Sequence, residues 1–228
     1  MPDFTGFGDD AIGFLAELEA NNNRDWFKEN KHRYEACVLE PALDFIAAMG
    51  ERLEAFSPHF TAIPKRQGGS LMRVYRDTRF HRGAPYKTNI GIQFRHELGK
   101  DVHAPGYYLH IETAGCFLAA GMWRPEPDAL KRIRERIFDH PDAWRRVKAS
   151  RTFNGAFEFG GTRLKRPPRG YSEDAPHIED IKRKDFIAAC NFPVANAASA
   201  GFVDEAADAF AKARPLMAFL CAAVEVPF

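Results

Sequence analysis

YYLHIETAGCFLAAGMW, residues 107–123, decides the fold. Tyr107–Thr113 alternates side-chain character with a period of two, the repeat of a β-strand, and Cys116–Trp123 reads as a second strand. Ala114-Gly115 between them is a tight-turn signal, so the halves form an antiparallel hairpin. Tyr107, Leu109 and Ile111 then share one face, and Tyr108, His110 and Glu112 the other.

Working outward, Ser70–Arg76 and Thr88–Arg95 read as further strands, with Gly-, Pro- and Ala-rich turns between them. Phe157–Phe159 is a short strand ending at Gly160-Gly161, and Phe186–Phe192 alternates apolar residues as a strand does. Helical spacing marks 9–20, 24–38 and 40–55, then 127–138 and 140–148, and finally 204–224, bent or interrupted near Pro215. Asn21, Asn22 and Asn23 stop the first helix, Pro41 suits the first turn of the third, and Trp26, Phe27 and Tyr34 are core anchors. The expectation is one α+β domain over 1–228: an antiparallel meander packed by N-terminal, central and C-terminal helices.

Composition excludes several classes. A net charge of +1 is no electrostatic footprint for a dedicated DNA or membrane binder. The basic residues gather locally instead, at 73–87, 131–151 and 163–169. No apolar stretch reaches the roughly 18 residues of a membrane span, and MPDFTGFGDD lacks the basic and apolar regions of a signal peptide. Cys37, Cys116, Cys190 and Cys221 are scattered among apolar neighbours with no CxxC pair, which suits reduced thiols in the cytoplasm.

The chemistry-bearing stretch is MRVYRDTRFHRGAPYKT, residues 72–88, with four arginines, an aspartate and two tyrosines. A guanidinium is a rigid fork of donors that matches carboxylate or phosphate. Arg73, Arg76, Asp77, Arg79, Tyr86 and Lys87 are therefore the candidate ligand-binding set, with Asp77 and Tyr86 orienting the cations. Lys165, Arg166 and Arg169 lie on a loop stiffened by Pro167-Pro168, suited to close over an anion held by Arg76 or Arg79. The alternative is an internal ion-pair network, with Asp25, Glu29 or Glu35 as the acids. The run 131–136 is the polar face of an amphipathic helix.

Candidate catalytic groups are His110, Tyr86 and Tyr108. No metal is expected, because HxE alone is no metal signature and His81, His96 and His103 read as loop residues without ligand spacing. No cofactor is expected, and GxGxxG, P-loop, GxSxG and HExxH patterns are absent, which weighs against an enzyme at the anion site.

The run Arg73, Arg76, Asp77, Arg79, Phe80, followed by Pro85, Tyr86 and Lys87, resembles a bacterial and fungal family catalogued as domain of unknown function 2461. NNNRDWFKENKHRYE, YYLHIE and LKRPPRGY resemble the same family. The chain departs from it at His81-Arg82-Gly83-Ala84, a shorter connection without the family's acid–lysine pair. The resemblance implies a single domain of this length and supplies no activity. Three functions fit the residues: binding of a small phosphate- or carboxylate-bearing anion, nucleic-acid binding against which the net charge weighs, and a non-enzymatic scaffold with structural arginines.

Overall fold

The computed structural model describes residues 4–77, 83–99 and 103–228. Its sheet contains β1 (Phe60–Thr61), β2 (Asn89–His96), β3 (Gly106–Glu112), β4 (Gly115–Met122), β5 (Glu158–Phe159) and β6 (Phe186–Phe192). All neighbours are antiparallel, in the order β1-β2-β3-β4-β6-β5. The central hairpin pairs Ile111 with Cys116, Leu109 with Leu118 and Tyr107 with Ala120, and all six are buried. Glu112 pairs with Gly115, so the turn residues are Thr113 and Ala114, one position earlier than the Ala114-Gly115 signal implied.

That buried face is covered by α4 (Glu40–Phe56), α9 (Phe202–Lys212) and α10 (Arg214–Ala223). Tyr107 is fully buried against Phe210, with ring centroids 4.8 Å apart, and its hydroxyl is satisfied by the Ser57 hydroxyl at 2.8 Å. Such a partner is what allows a phenol into a core. The expected closing helix is two helices, with Pro215 in the first turn of the second. There proline's missing N–H costs no helix hydrogen bond. Cys116 and Cys221 are buried, Cys37 and Cys190 half-buried, and all four are free thiols.

The N-terminal region departs from the expected single helix over 24–38. After α1 (Gly8–Ala20) come α2 (Arg24–Glu29), α3 (Lys31–Tyr34) and a π-helical turn, Glu35–Leu39, that leads into α4. Pro41 has no N–H to donate to the carbonyl four residues back, so the ladder cannot run regularly through this point. Asn21 closes α1 through its side-chain bond to the Glu17 carbonyl, and Asn23 caps α2 by accepting from the Trp26 N–H. Phe27 is buried, with Trp26 and Tyr34 packed against the core.

The strand expected at Ser70–Arg76 does not form. Only Leu71 and Tyr75 make isolated bridges, to Ile92 and Tyr86. Leu71 and Val74 are both buried, a spacing of three that no flat strand can place on one face.

Beyond β4, α5 (Pro127–Asp139), α6 (Pro141–Ala149) and α7 (Arg151–Asn154) lead to β5, and α8 (Ile178–Ile181) precedes β6. A buried charge network ties them together. Asp180 accepts from Trp144 Nε1 at 2.9 Å and Arg183 Nε at 3.0 Å, and Arg183 also donates to the Gly160 carbonyl. Burial alone would raise the Asp180 carboxyl, but the bonds from Trp144 and Arg183 and the charges of Lys148 and Arg183 hold it below its ordinary value. Asp185 shows the same balance, its burial outweighed by the Thr162 and Arg124 N–H groups and the Thr162 hydroxyl.

Both carboxyls are depressed in the folded state, so their stabilisation is present above the ordinary aspartate pKa of about 3.9 and lost as pH falls below it. Asp180→Ala would leave Arg183 buried without its carboxylate, and the expected cost is about 3–5 kcal/mol in urea unfolding at neutral pH. A loss below about 1 kcal/mol would show that the network is not the tie described here.

Candidate functional site: the arginine turn and the open sheet face

The segment after Ser70 first runs beside β2, where the Met72 N–H donates to the Gly91 carbonyl and the Gln93 N–H to the Ser70 carbonyl. It then folds back on itself. The Arg76 N–H donates to the Pro85 carbonyl and the Lys87 N–H to the Val74 carbonyl. Asn22 fastens this turn to the N-terminal helices: its amide donates to the Tyr86 carbonyl at 3.1 Å and accepts from the Tyr86 N–H at 3.0 Å. The link to the asparagine-rich stretch is thus amide to backbone. No ion pair joins Arg73 or Arg76 to Asp25, Glu29 or Glu35 among the described residues.

The candidate residues divide by role. Tyr86 is buried and stacked on Phe27 at 4.1 Å, an anchor for the turn, and burial raises its phenol. Arg76 donates Nε to the Tyr86 carbonyl at 2.8 Å, so part of its fork holds the turn. Asp77 is half-buried and has an interaction partner of its own. Arg73 is exposed and makes no hydrogen bond or ion pair with any described residue. The Lys87 amine also lacks such a partner, and its pKa is lowered by burial and by the charges of Arg73 and Arg76. Arg79 lies outside the described residues, as do His81 and Arg82.

Arg73 borders a basin of about 740 Å³, walled by Phe27, Tyr34 and Tyr75 and by the loop Gln67-Gly68-Gly69-Ser70. A side chain at Gly69 would meet the Ile63 carbonyl oxygen at 2.4 Å, so this loop can close only around glycine. Three other cations line the basin. Lys31 pairs with Glu35, Arg66 pairs with Glu40 and Glu35, and Arg95 is engaged as well. Arg73 is the cation that remains unpaired there among the described residues.

On the open face of the sheet, Tyr108, His110 and Glu112 stand in the row that the period of two implies. The Tyr108 hydroxyl is 3.0 Å from His110 Nδ1, the Asn89 amide nitrogen 3.4 Å from the same atom, and Glu112 Oε2 3.3 Å from His110 Nε2. With its proton on Nε2 the ring donates to Glu112, and the single lone pair of Nδ1 accepts from the nearer donor, the Tyr108 hydroxyl. The imidazole stacks on Phe117 at 4.7 Å. Gly91 makes room for the phenol, since a Cβ there would lie 2.9 Å from the Tyr108 hydroxyl and 3.3 Å from Met72 Sδ. Burial, with the Glu112 charge, pushes the Tyr108 phenol up to about 12. Beside these groups lies a mostly apolar cleft of about 440 Å³, floored by Ala119 and Gly121.

Lys165, Arg166 and Arg169 are exposed at the other end of the sheet. Leu164 bonds to the Lys182 carbonyl, and Tyr171 packs on Phe138. Strands β3, β4 and β6 lie between β2 and β5, the strand that precedes this loop, a separation of four strand spacings or about 19 Å, and none of the three cations lines the basin at Arg73. His96 is a buried strand residue rather than a loop residue, with Nε2 2.8 Å from the Pro227 carbonyl oxygen. Among the described residues no three His, Cys, Asp or Glu side chains gather as metal ligands, and no helix is long and apolar enough to cross a membrane. Gly91 and Gln93 shape the site without any charge or motif in the sequence to mark them, and Asn22 and Met72 lie in stretches singled out for their other residues.

These features define an α+β protein whose antiparallel sheet packs helices on one face and presents, at the rim of the other, an arginine-bearing turn. A family model described as a conserved hypothetical protein, domain of unknown function 2461, matches residues 10–219, and the chain belongs to that family. No curated protein and no solved structure matches it.

The buried phenols give a spectroscopic check. Tyr34 and Tyr108 are both pushed up to about 12, so alkaline difference absorbance should show their ionisation well above the ordinary value of about 10. Because the unfolded phenols ionise first, stability is full below about 10 and falls as pH rises toward about 12. Tyr108→Phe should remove one ring from the set that ionises well above about 10. A full complement of phenols ionising near 10 would contradict the burial of this row.

Proposed function

We propose that this protein binds a small organic anion, phosphate- or carboxylate-bearing, at the arginine turn. The single observation that carries the reading is Arg73: exposed, at the edge of a concave basin, and the one cation there without a partner among the described residues. A guanidinium left unpaired while Lys31 and Arg66 beside it are matched with acids has its donor fork available for a ligand. Lys87 supports the reading, because its amine is held beside Arg73 and Arg76, where mutual repulsion favours an added negative charge. Arg76 contributes charge while its Nε holds the turn. The Tyr108–His110–Glu112 row stands on the adjoining face as the only candidate acid–base group among the residues named from the sequence that has a polar relay.

The test is calorimetric titration with inorganic phosphate, pyrophosphate and citrate at low and high salt. Arg73→Ala should weaken binding of these anions by about tenfold or more, equivalent to about 1.4 kcal/mol, with the melting temperature unchanged. Arg73→Lys should recover only part of the affinity, since a point charge lacks the fork. No heat with any anion in the wild type, or equal affinity in folded Arg73→Ala, overturns the proposal. Binding of a short oligonucleotide in place of these anions, with a steep salt dependence, would establish the nucleic-acid reading instead.

A further inference from the structure

The basin at Arg73 and the apolar cleft on the open face adjoin, with Met72 and Gln93 in the lining of both. We infer that the ligand is bipartite: an anionic head at Arg73 and an aromatic ring body lying in the cleft on Ala119 and Gly121. This rests on the reading of Arg73 as the anion site and adds the class of molecule attached to the anion.

Four features of the cleft support a ring. Its volume, about 440 Å³, falls within the range of small-molecule sites, and it is too small for a helix about 10–12 Å across. Its floor is flat, because Ala119 and Gly121 occupy the open-face positions of β4 opposite Tyr108 and Gly106. A Cβ at Gly121 would come within 2.0 Å of the Phe186 carbonyl oxygen, so that position cannot carry a side chain. The walls are rings, Tyr108 and Phe117 on one side and the half-exposed Trp123 at the end. Flat floors between aromatic walls favour offset-stacked and edge-on ring contacts over a flexible chain. The polar atoms in the cleft are few, with the Tyr108 hydroxyl and the Gln93 amide among them, which is the pattern that orients a ligand already held by apolar contact.

Charge decides where the head goes. The cleft's charged neighbours are Glu112, set against His110 Nε2, and Arg124, whose guanidinium lies 4.7 Å from the centre of the Trp123 ring, while Arg73 lies beyond Met72. An anion is repelled at Glu112, and Arg124 has the Asp185 carboxylate beside it, so the unpaired Arg73 is the cation that takes the anionic head.

The experiment compares inorganic phosphate, hexyl phosphate and 1-naphthyl phosphate by calorimetry on the wild-type chain and on two variants that fill the cleft, Ala119→Phe and Ile187→Trp. Melting curves confirm that each variant is folded. 1-Naphthyl phosphate should bind about tenfold or more tighter than inorganic phosphate, and tighter than hexyl phosphate. In whichever variant folds, that gain should vanish while the affinity for inorganic phosphate stays the same. Equal affinities for inorganic and naphthyl phosphate, or a gain that survives in a filled cleft, overturn this inference and leave the Arg73 anion site standing. Hexyl phosphate gaining as much as the naphthyl ester overturns the ring assignment. Failure of all three phosphates to bind removes the anion site itself, and the bipartite ligand with it.

Discussion

The structure depends on one ladder, the pairing of β3 with β4 over a face that must be dry. Tyr107, Leu109, Ile111, Cys116, Leu118 and Ala120 all reach the core, and α4, α9 and α10 exist to cover them. Because strand side chains alternate without exception, burying this set commits Tyr108, His110, Phe117 and Ala119 to the opposite side. The open face with its histidine relay and its cleft is therefore the other half of the same hydrophobic decision. A slip of one residue would expose the core and bury His110 and Glu112, so register is held by the cost of both errors.

A second constraint attaches the charged turn to this sheet. The turn has no long ladder of its own, only the bridges at Leu71 and Tyr75. Asn22 compensates by pairing with both polar groups of the Tyr86 peptide, and the Phe27 ring holds the tyrosine by stacking. Three successive asparagines thus do three jobs: Asn21 ends a helix, Asn22 clamps a distant peptide and Asn23 starts the next helix. Only the outer two jobs are local, and the middle one spans 64 positions of sequence.

The two arginine environments show why a count of charges does not locate a site. Arg183 is buried and matched by Asp180, a carboxylate that itself has Trp144 as a donor. Its role is to join α6, α8 and the strands around Gly160. Arg73 is exposed, while Lys31 and Arg66 in the same basin are matched by acids and Arg95 is engaged as well. The same residue type at comparable local density does opposite things, and burial together with the positions of the acids separates the two.

Much of the architecture was legible in the sequence because it is written in local periods. The strands at 107–113, 116–123 and 186–192, the helices around 9–20, 40–55 and 127–148, and the break at Pro215 each follow from side-chain spacing or from proline's missing N–H. The same period put Tyr108, His110 and Glu112 on one face. Where local rules ran out, the reading failed: Ser70–Arg76 carries β-favouring residues but its burial has a spacing of three, and 24–38 reads as one helix although it breaks at Asn30 and passes into the π-turn that Pro41 imposes just beyond it. The sequence by itself determined the α+β class, the hairpin and the existence of an arginine-rich turn. Only the tertiary structure decided which arginines were already matched, that the 165–169 loop lies across the sheet from Arg73, and that a basin and a cleft adjoin at Met72 and Gln93. Those outcomes depend on long-range pairing and on which acids burial brings near, and neither leaves a period in the chain.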